Sequence, residues 1–181
     1  MTTSKALLII DMQKGSFIPQ TPRFDTTGIV QRINQLSSLF RKSNFSVIYI
    51  QHDGTATNEF IPNTTEWEIL DELEVTTQDI FINKYANDSF YNSNLQSKLI
   101  ELDCNELFIT GCATDFCVAS TIQSALTKDY AITVVKDAHT TGDRPHLKAN
   151  QIIEHYNWVW QHMIPTKGAI QVVDLKQIEL S

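Results

Sequence analysis

The chain is short of cysteine, glycine, positive charge and long apolar runs, and each shortage closes off a class of protein. Its only cysteines are Cys104, Cys112 and Cys117. An odd number in a chain of this length makes no disulfide framework, and the spacings lack the close pairs of a zinc site. Only six glycines occur, and none forms a G-x-x-x-x-G-K-[ST] cradle. Asp11-Met12-Gln13-Lys14-Gly15 is no phosphate loop either, which argues against a nucleotide-binding module. Fourteen Lys and Arg stand against 21 Asp and Glu, a formal net charge of -7 with a pI near 5.1. That leaves no basic face for nucleic acid. The one apolar run near the N-terminus, residues 6–10, is too short for a membrane span or a secretory core. The expectation is a cytoplasmic protein with neither membrane nor nucleic-acid partners.

What is present is ordinary globular material, 181 residues with 42% hydrophobic and 9% aromatic side chains, enough for one domain over residues 1–181. Residues 6–10 (ALLII) read as a strand buried on both faces, followed by Asp11. Apolar positions 29, 30, 33, 36, 39 and 40 make a helical stripe leading to a strand at 46–50. A long polar loop follows, in which Thr65-x-x-Glu68 reads as a capping box for a short helix to Leu73. A third strand is expected at 78–82, closed by Asn83 and Lys84. Ser93-x-x-Gln96 then caps a helix with Leu95, Leu99, Ile100 and Leu102 on one face. Further strands are expected at 106–110, 131–135 and 169–173, and Asp143-Arg144-Pro145 reads as the start of a long helix toward His162. Alternation of this kind predicts a three-layer α/β/α domain around a six-stranded, mostly parallel sheet.

Residues 107–126, LFITGCATDFCVASTIQSAL, read as a strand, a sharp turn at Gly111 and a helix capped by Thr114 or Asp115. Cys117 then falls in the first helical turn. Free N–H groups and the positive end of the dipole there favour a thiolate and can hold an oxyanion. Cys117 is therefore expected to be the most acidic and reactive of the three thiols. A free cysteine is also a common apolar filler, so the weight falls on its company. Ligands collect beyond the carboxyl ends of strands in open α/β sheets, and three such ends carry Asp11, Lys84 and Cys117. An acid, an ammonium and a thiol at one edge are the parts of an activated nucleophile.

The chain resembles the isochorismatase-like cysteine hydrolases, which include nicotinamidases and N-carbamoylsarcosine amidases. The likeness rests on Leu8-Ile9-Ile10-Asp11-Met12-Gln13, on Lys84-Tyr85-Ala86-Asn87-Asp88-Ser89-Phe90 and on Gly111-Cys112-Ala113-Thr114-Asp115-Phe116-Cys117-Val118. It implies a triad of Asp11, Lys84 and Cys117, a thioester intermediate, a cis Cys112-Ala113 peptide, and an oxyanion hole from the amides of Ala113 and Cys117. The substrate class it implies is a small amide, lactam, ureido or carbamoyl compound, and the family's habit implies a homodimer or higher homo-oligomer. Two alternatives stay open, a vinyl-ether hydrolase of the isochorismatase type and a non-catalytic thiol sensor or binding module. No cofactor is expected. The metal-binding pattern of the nicotinamidases fails here, because His52 stands alone with Asp53 and the later histidines have no ligand spacing. His52 reads instead as a pocket wall, with Phe17, Phe60, Trp67, Phe90 and Phe116 as apolar candidates for the rest. Trp158 and Trp160, late in the last helix, suggest a subunit contact.

Overall fold

The computed structural model describes residues 4–180. Six strands, β1 (Ser4–Ile10), β2 (Ser46–His52), β3 (Ile80–Lys84), β4 (Cys104–Cys112), β5 (Ala131–Thr140) and β6 (Ile170–Val173), form one sheet in the order β3-β2-β1-β4-β5-β6. Every pairing is parallel, so the expected sheet is present without an antiparallel exception. Alternation along β1 divides the core. Ala6, Leu8 and Ile10 pack with α2 (Leu95–Glu101), α3 (Ala119–Thr127) and Trp160 of α4 (Ala149–Gln161). Leu7 and Ile9 meet Ile29, Ile33, Leu36 and Phe40 of α1 (Thr26–Lys42) on the other face. With both faces covered, the middles of the central strands carry apolar residues at successive positions, residues 6–10, 47–50 and 107–109, which is why they read as continuous runs.

The strand order places the functional edge. The chain builds outward from β1 to β3 on one side and from β4 to β6 on the other, so the carboxyl ends of β1 and β4 flank the topological switch point. Gly111 makes the close approach of these two strands possible. It pairs with Ile10, has φ +115°, and a Cβ added there would stand 2.2 Å from the Ile10 carbonyl oxygen.

Several local expectations yield to tertiary partners. No helix forms over residues 65–73. The backbone carbonyls of Glu66 and Glu68 accept from the N–H groups of Gly15 and Lys14, at 2.9 and 2.8 Å, and the Trp67 carbonyl accepts from both Gln13 and Gln51 Nε2 at 3.0 Å. Carbonyls engaged this way are lost to an i→i+4 ladder. The third strand begins at Ile80 and includes Lys84, two residues beyond the expected range. On α2, Leu95 and Leu99 are buried but Ile100 is 67% exposed, off the face assigned to it. Helix α4 starts only at Ala149, whose N–H donates to the Asp143 carboxylate at 2.9 Å, so Asp143 caps from six residues upstream and Arg144-Pro145 lie in the preceding loop. Of the two late tryptophans, Trp160 is fully buried, edge-on to His139 at 5.2 Å between ring centroids, and only Trp158, 60% exposed, faces outward. Among the described residues no helix is long and apolar enough to cross a membrane.

Candidate active site

Register brings the three strand-end groups together. Ile10 pairs with Ile50 and Gly111, and His52 pairs with Lys84, so Asp11, His52, Lys84 and Cys112 end neighbouring strands at one edge. Asp11 turns away from β1 in the left-handed region, φ 49°, while its N–H remains on the Ile50 carbonyl at 2.9 Å. Lys84 is completely buried. Its Nζ lies 2.8 Å from Asp11 Oδ2, 2.9 Å from the Ala86 carbonyl and 3.3 Å from Cys117 Sγ. Those three contacts use all three ammonium protons. The lysine is thereby held as a fixed charge between the acid and the thiol.

Cys117 does not sit in the first turn of an ordinary helix. Residues Thr114–Val118 form a π-helical turn ahead of α3, and neither Thr114 nor Asp115 caps it. Thr114 Oγ1 is 2.9 Å from His139 Nδ1. Asp115 takes a two-pronged contact from Arg144 at 2.8 and 2.9 Å and the Thr141 hydroxyl at 2.6 Å. Burial opposes ionisation of Asp115, but these partners hold its pKa below the ordinary carboxylate value. The Cys112-Ala113 peptide is cis.

The thiol is not acidic at rest. Burial first, and the Asp11 carboxylate second, push the Cys117 thiol up against the opposing pull of Lys84. Burial would lower Lys84, yet Asp11 and the thiol outweigh it and hold the ammonium above its usual value. The expectation of a standing thiolate at a helix N-terminus is therefore corrected: an ion pair lies beside a neutral S–H. Cys117 is still the most accessible thiol, since Cys104 and Cys112 are buried and burial chiefly pushes both up to about 12. One Asp11 oxygen, Oδ1, is buried without a partner. It is a free acceptor on the carboxylate that shares Lys84 with the thiol.

A cavity of about 270 Å³ opens over this cluster, lined by Asp11, Ser16, Arg23, His52, Phe60, Asn87, Cys112, Ala113, Phe116, Cys117 and Arg144. Of the expected walls, His52, Phe60 and Phe116 are there, with Phe60 edge-on to the His52 ring at 5.8 Å. Burial and Lys84 lower the His52 pKa, so its imidazole is neutral at pH 7. The other three are elsewhere. Phe17 lines a separate depression beside α1, Trp67 a groove beside β3, and Phe90 is core, stacked on Tyr130 at 5.9 Å. Each is an aromatic that the core or a loop consumed. Arg23, Ser16, Asn87 and Arg144 were given no role by sequence. Asn87 lies inside a recognised block, and its Oδ1 is 3.6 Å from Cys117 Sγ, but Arg23 is a single arginine in a loop and carries no signal. Among the described residues no three His, Cys, Asp or Glu side chains cluster as a metal site would need.

His139 ties the π turn to α4. Its Nε2 is 3.0 Å from Asn157 Oδ1, while Asn157 Nδ2 donates to the Lys136 carbonyl. Asn157 Oδ1 is then an acceptor, so Nε2 carries the proton and Nδ1 accepts from Thr114. Burial keeps the ring neutral and drops its pKa to about 4. A folded pKa below the unfolded value of about 6.5 gives stability that is complete above pH 6.5 and lost as pH falls toward 4. Urea titrations should show a drop of about 3 kcal/mol over that window, with His139→Gln less stable at pH 7 but flatter across it. An equally steep variant overturns the assignment.

The sequence model of the isochorismatase domain matches residues 5–162. An uncharacterized isochorismatase family protein of Bacillus subtilis, YddQ, is 34% identical over 145 residues, 78% of this chain and 79% of that one. The streptothricin hydrolase of Streptomyces noursei is 27% identical over 141 residues, 78% of this chain but only 56% of that protein. The ureidoacrylate amidohydrolase RutB of Caulobacter segnis is 26% identical, over 85% of this chain and 81% of its own. Among solved structures, an isochorismatase from Pseudomonas putida KT2440 superposes with a TM-score of 0.87 at 26% identity, covering 97% of this chain and 90% of that one.

Proposed function

The chain belongs to the isochorismatase family of hydrolases, and on that premise we propose that it cleaves a C–N bond of a small amide, lactam, ureido or carbamoyl compound through a Cys117 thioester. The observation that carries this reading is the Asp11–Lys84–Cys117 contact set beneath an open cavity. Streptothricin hydrolase and ureidoacrylate amidohydrolase are, by their names, relatives with hydrolytic chemistry of this kind.

As a substrate carbonyl carbon approaches Sγ, the thiol proton passes to Asp11 and the S–C bond forms. A neutral resting thiol suits this order, because a base acts best when the proton leaves as attack develops. The tetrahedral oxyanion is received by the amides of Ala113 and Cys117, the donors that the family resemblance implies. Collapse breaks the C–N bond, and Asp11 returns the proton to the leaving nitrogen. Water then attacks the thioester, giving up a proton through Asp11 to Sγ, and releases the acid with free thiol. Lys84, saturated by its three acceptors, stays protonated throughout and steadies the negative charge that moves between Asp11 and Sγ.

The test is a screen over small amides, lactams, ureas and ureido compounds for released ammonia or, with lactams, a newly exposed amine, run with and without a strong chelator and with Cys117→Ala as blank. The expected result is release from at least one compound, unaffected by the chelator and absent in the variant. Pyruvate release from isochorismate with no ammonia from any amide would favour the vinyl-ether reading instead.

A further inference from the structure

Charge inside the cavity does not balance. Asp11 is paired with Lys84, and Asp115 with Arg144. His52 is neutral. Arg23 alone has no carboxylate within salt-bridge distance among the described residues, although the protein as a whole carries a formal charge of -7. The Arg23 guanidinium is nevertheless held in place. Its Nε donates to the Ser16 carbonyl at 2.7 Å, Arg23 pairs with Gly142 in an antiparallel bridge, and the next residue, Phe24, donates its N–H to the Thr141 carbonyl at 2.9 Å. These contacts bind the loop carrying Arg23 to the end of β5. Among the described residues neither Nη group donates to a protein acceptor, so two NH₂ groups on a half-buried, fixed arginine remain free at the cavity wall.

Building on the hydrolase reading above, we propose that the substrate carries a carboxylate, received by Arg23, in the same small molecule whose carbonyl is attacked by Cys117. A guanidinium offers planar paired donors that fit a carboxylate two-to-two, and it is always charged. A merely solvated arginine would need neither the Ser16 anchor nor a place in a wall shared with the nucleophile. Size narrows the class further. At about 270 Å³ the cavity is below the roughly 300–1,000 Å³ that suits drug-sized ligands, so the carboxylate and the scissile carbonyl belong to one compact amido or ureido acid. The neutral His52 ring, Phe60 and Phe116 supply flat walls for the few atoms between them. Arg23 is thus a binding residue that sets specificity, apart from the bond-breaking groups.

Matched pairs test this: N-carbamoylglycine, N-carbamoyl-β-alanine and succinamic acid, each against its neutral carboxamide. The expected result is a preference of about 10- to 100-fold in kcat/KM for the acid forms, expressed in KM. Arg23→Gln should erase that ratio, and Arg23→Lys, keeping charge but losing the fork, should restore part of it. A second arm does not depend on turnover. Calorimetric titration of the Cys117→Ala protein should show tighter binding of an acid than of its carboxamide, and the advantage should vanish in Cys117→Ala/Arg23→Gln. Acid-selective binding without any hydrolysis would support the Arg23 assignment while sinking the amidase reading. Equal affinity for acid and carboxamide, an acid preference that survives Arg23→Gln, or acids that leave the Cys117→Ala protein untouched at millimolar concentration would overturn it.

Discussion

Replacing Asp11 with Asn should cut hydrolysis by about 10²- to 10⁴-fold, the usual weight of a general base, while making Cys117 a stronger acid. The two effects point in opposite directions for a simple reason. Asp11 is the acceptor for the thiol proton during attack, yet its charge is also a main cause of the raised thiol pKa at rest. Removing it leaves the Lys84 ammonium, 3.3 Å from Sγ, as the nearest charge, and an ammonium favours a thiolate. Thiolate absorbance titrated against pH should therefore shift to lower pH in Asp11→Asn. Alkylation by iodoacetamide at neutral pH should speed up as turnover collapses. Because the acid and the thiol act as a unit, Asp11→Asn added to Cys117→Ala should cost little beyond Cys117→Ala alone. A thiol titrating higher in Asp11→Asn, or losses that multiply in the double variant, would show that Asp11 does not act on the thiol.

That prediction also marks where the sequence stops being legible. The parallel sheet could be read because β1, β2 and β4 are covered on both faces and so present continuous apolar runs, and because Asp11 and Lys84 sit directly at strand ends. The acidity of Cys117 could not. Position in the chain points to a helix N-terminus, but burial and the neighbouring carboxylate reverse the sign of the shift, and both exist only once β1, β3 and the turn after β4 converge. Local signals failed in the same way at Asp143-Arg144-Pro145, a sound helix start in isolation. There Arg144 is drawn to Asp115, 29 residues back, and Asp143 reaches forward to cap Ala149 instead. Thr65-x-x-Glu68 lost its helix because segment 13–15 captured its carbonyls. Arg23 had no local signal at all, since its meaning lies in a bridge to Gly142 across more than a hundred residues. The spacing that marks a motif is short-range, whereas the charge balance of a cavity is a property of the folded chain.

Lys84→Met should be among the most destabilising single changes available at this site, with a loss of about 3–5 kcal/mol in urea unfolding. Lys84 is wholly buried and Asp11 nearly so, and removing the cation leaves a carboxylate already short of one partner at Oδ1 with neither oxygen paired. A similar volume of apolar side chain does nothing to solvate it. Asp11→Asn should cost much less. There the group left behind is an ammonium with a titratable thiol beside it, and the thiol can ionise to supply the missing counter-charge, whereas the one neighbour able to gain a positive charge when Lys84 is lost is His52, whose ring burial holds neutral. The asymmetry separates a structural ion pair from a charge-sharing trio. Combining Lys84→Met with Asp11→Asn should recover part of the stability lost by Lys84→Met alone, since the second change removes the stranded charge. Adding Cys117→Ala to Asp11→Asn should instead deepen the loss, by taking away the compensating thiolate. If Lys84→Met and Asp11→Asn prove equally costly, and Cys117→Ala adds nothing to the latter, the thiol does not exchange charge with the pair, and the proton path from Sγ to Asp11 loses its electrostatic basis.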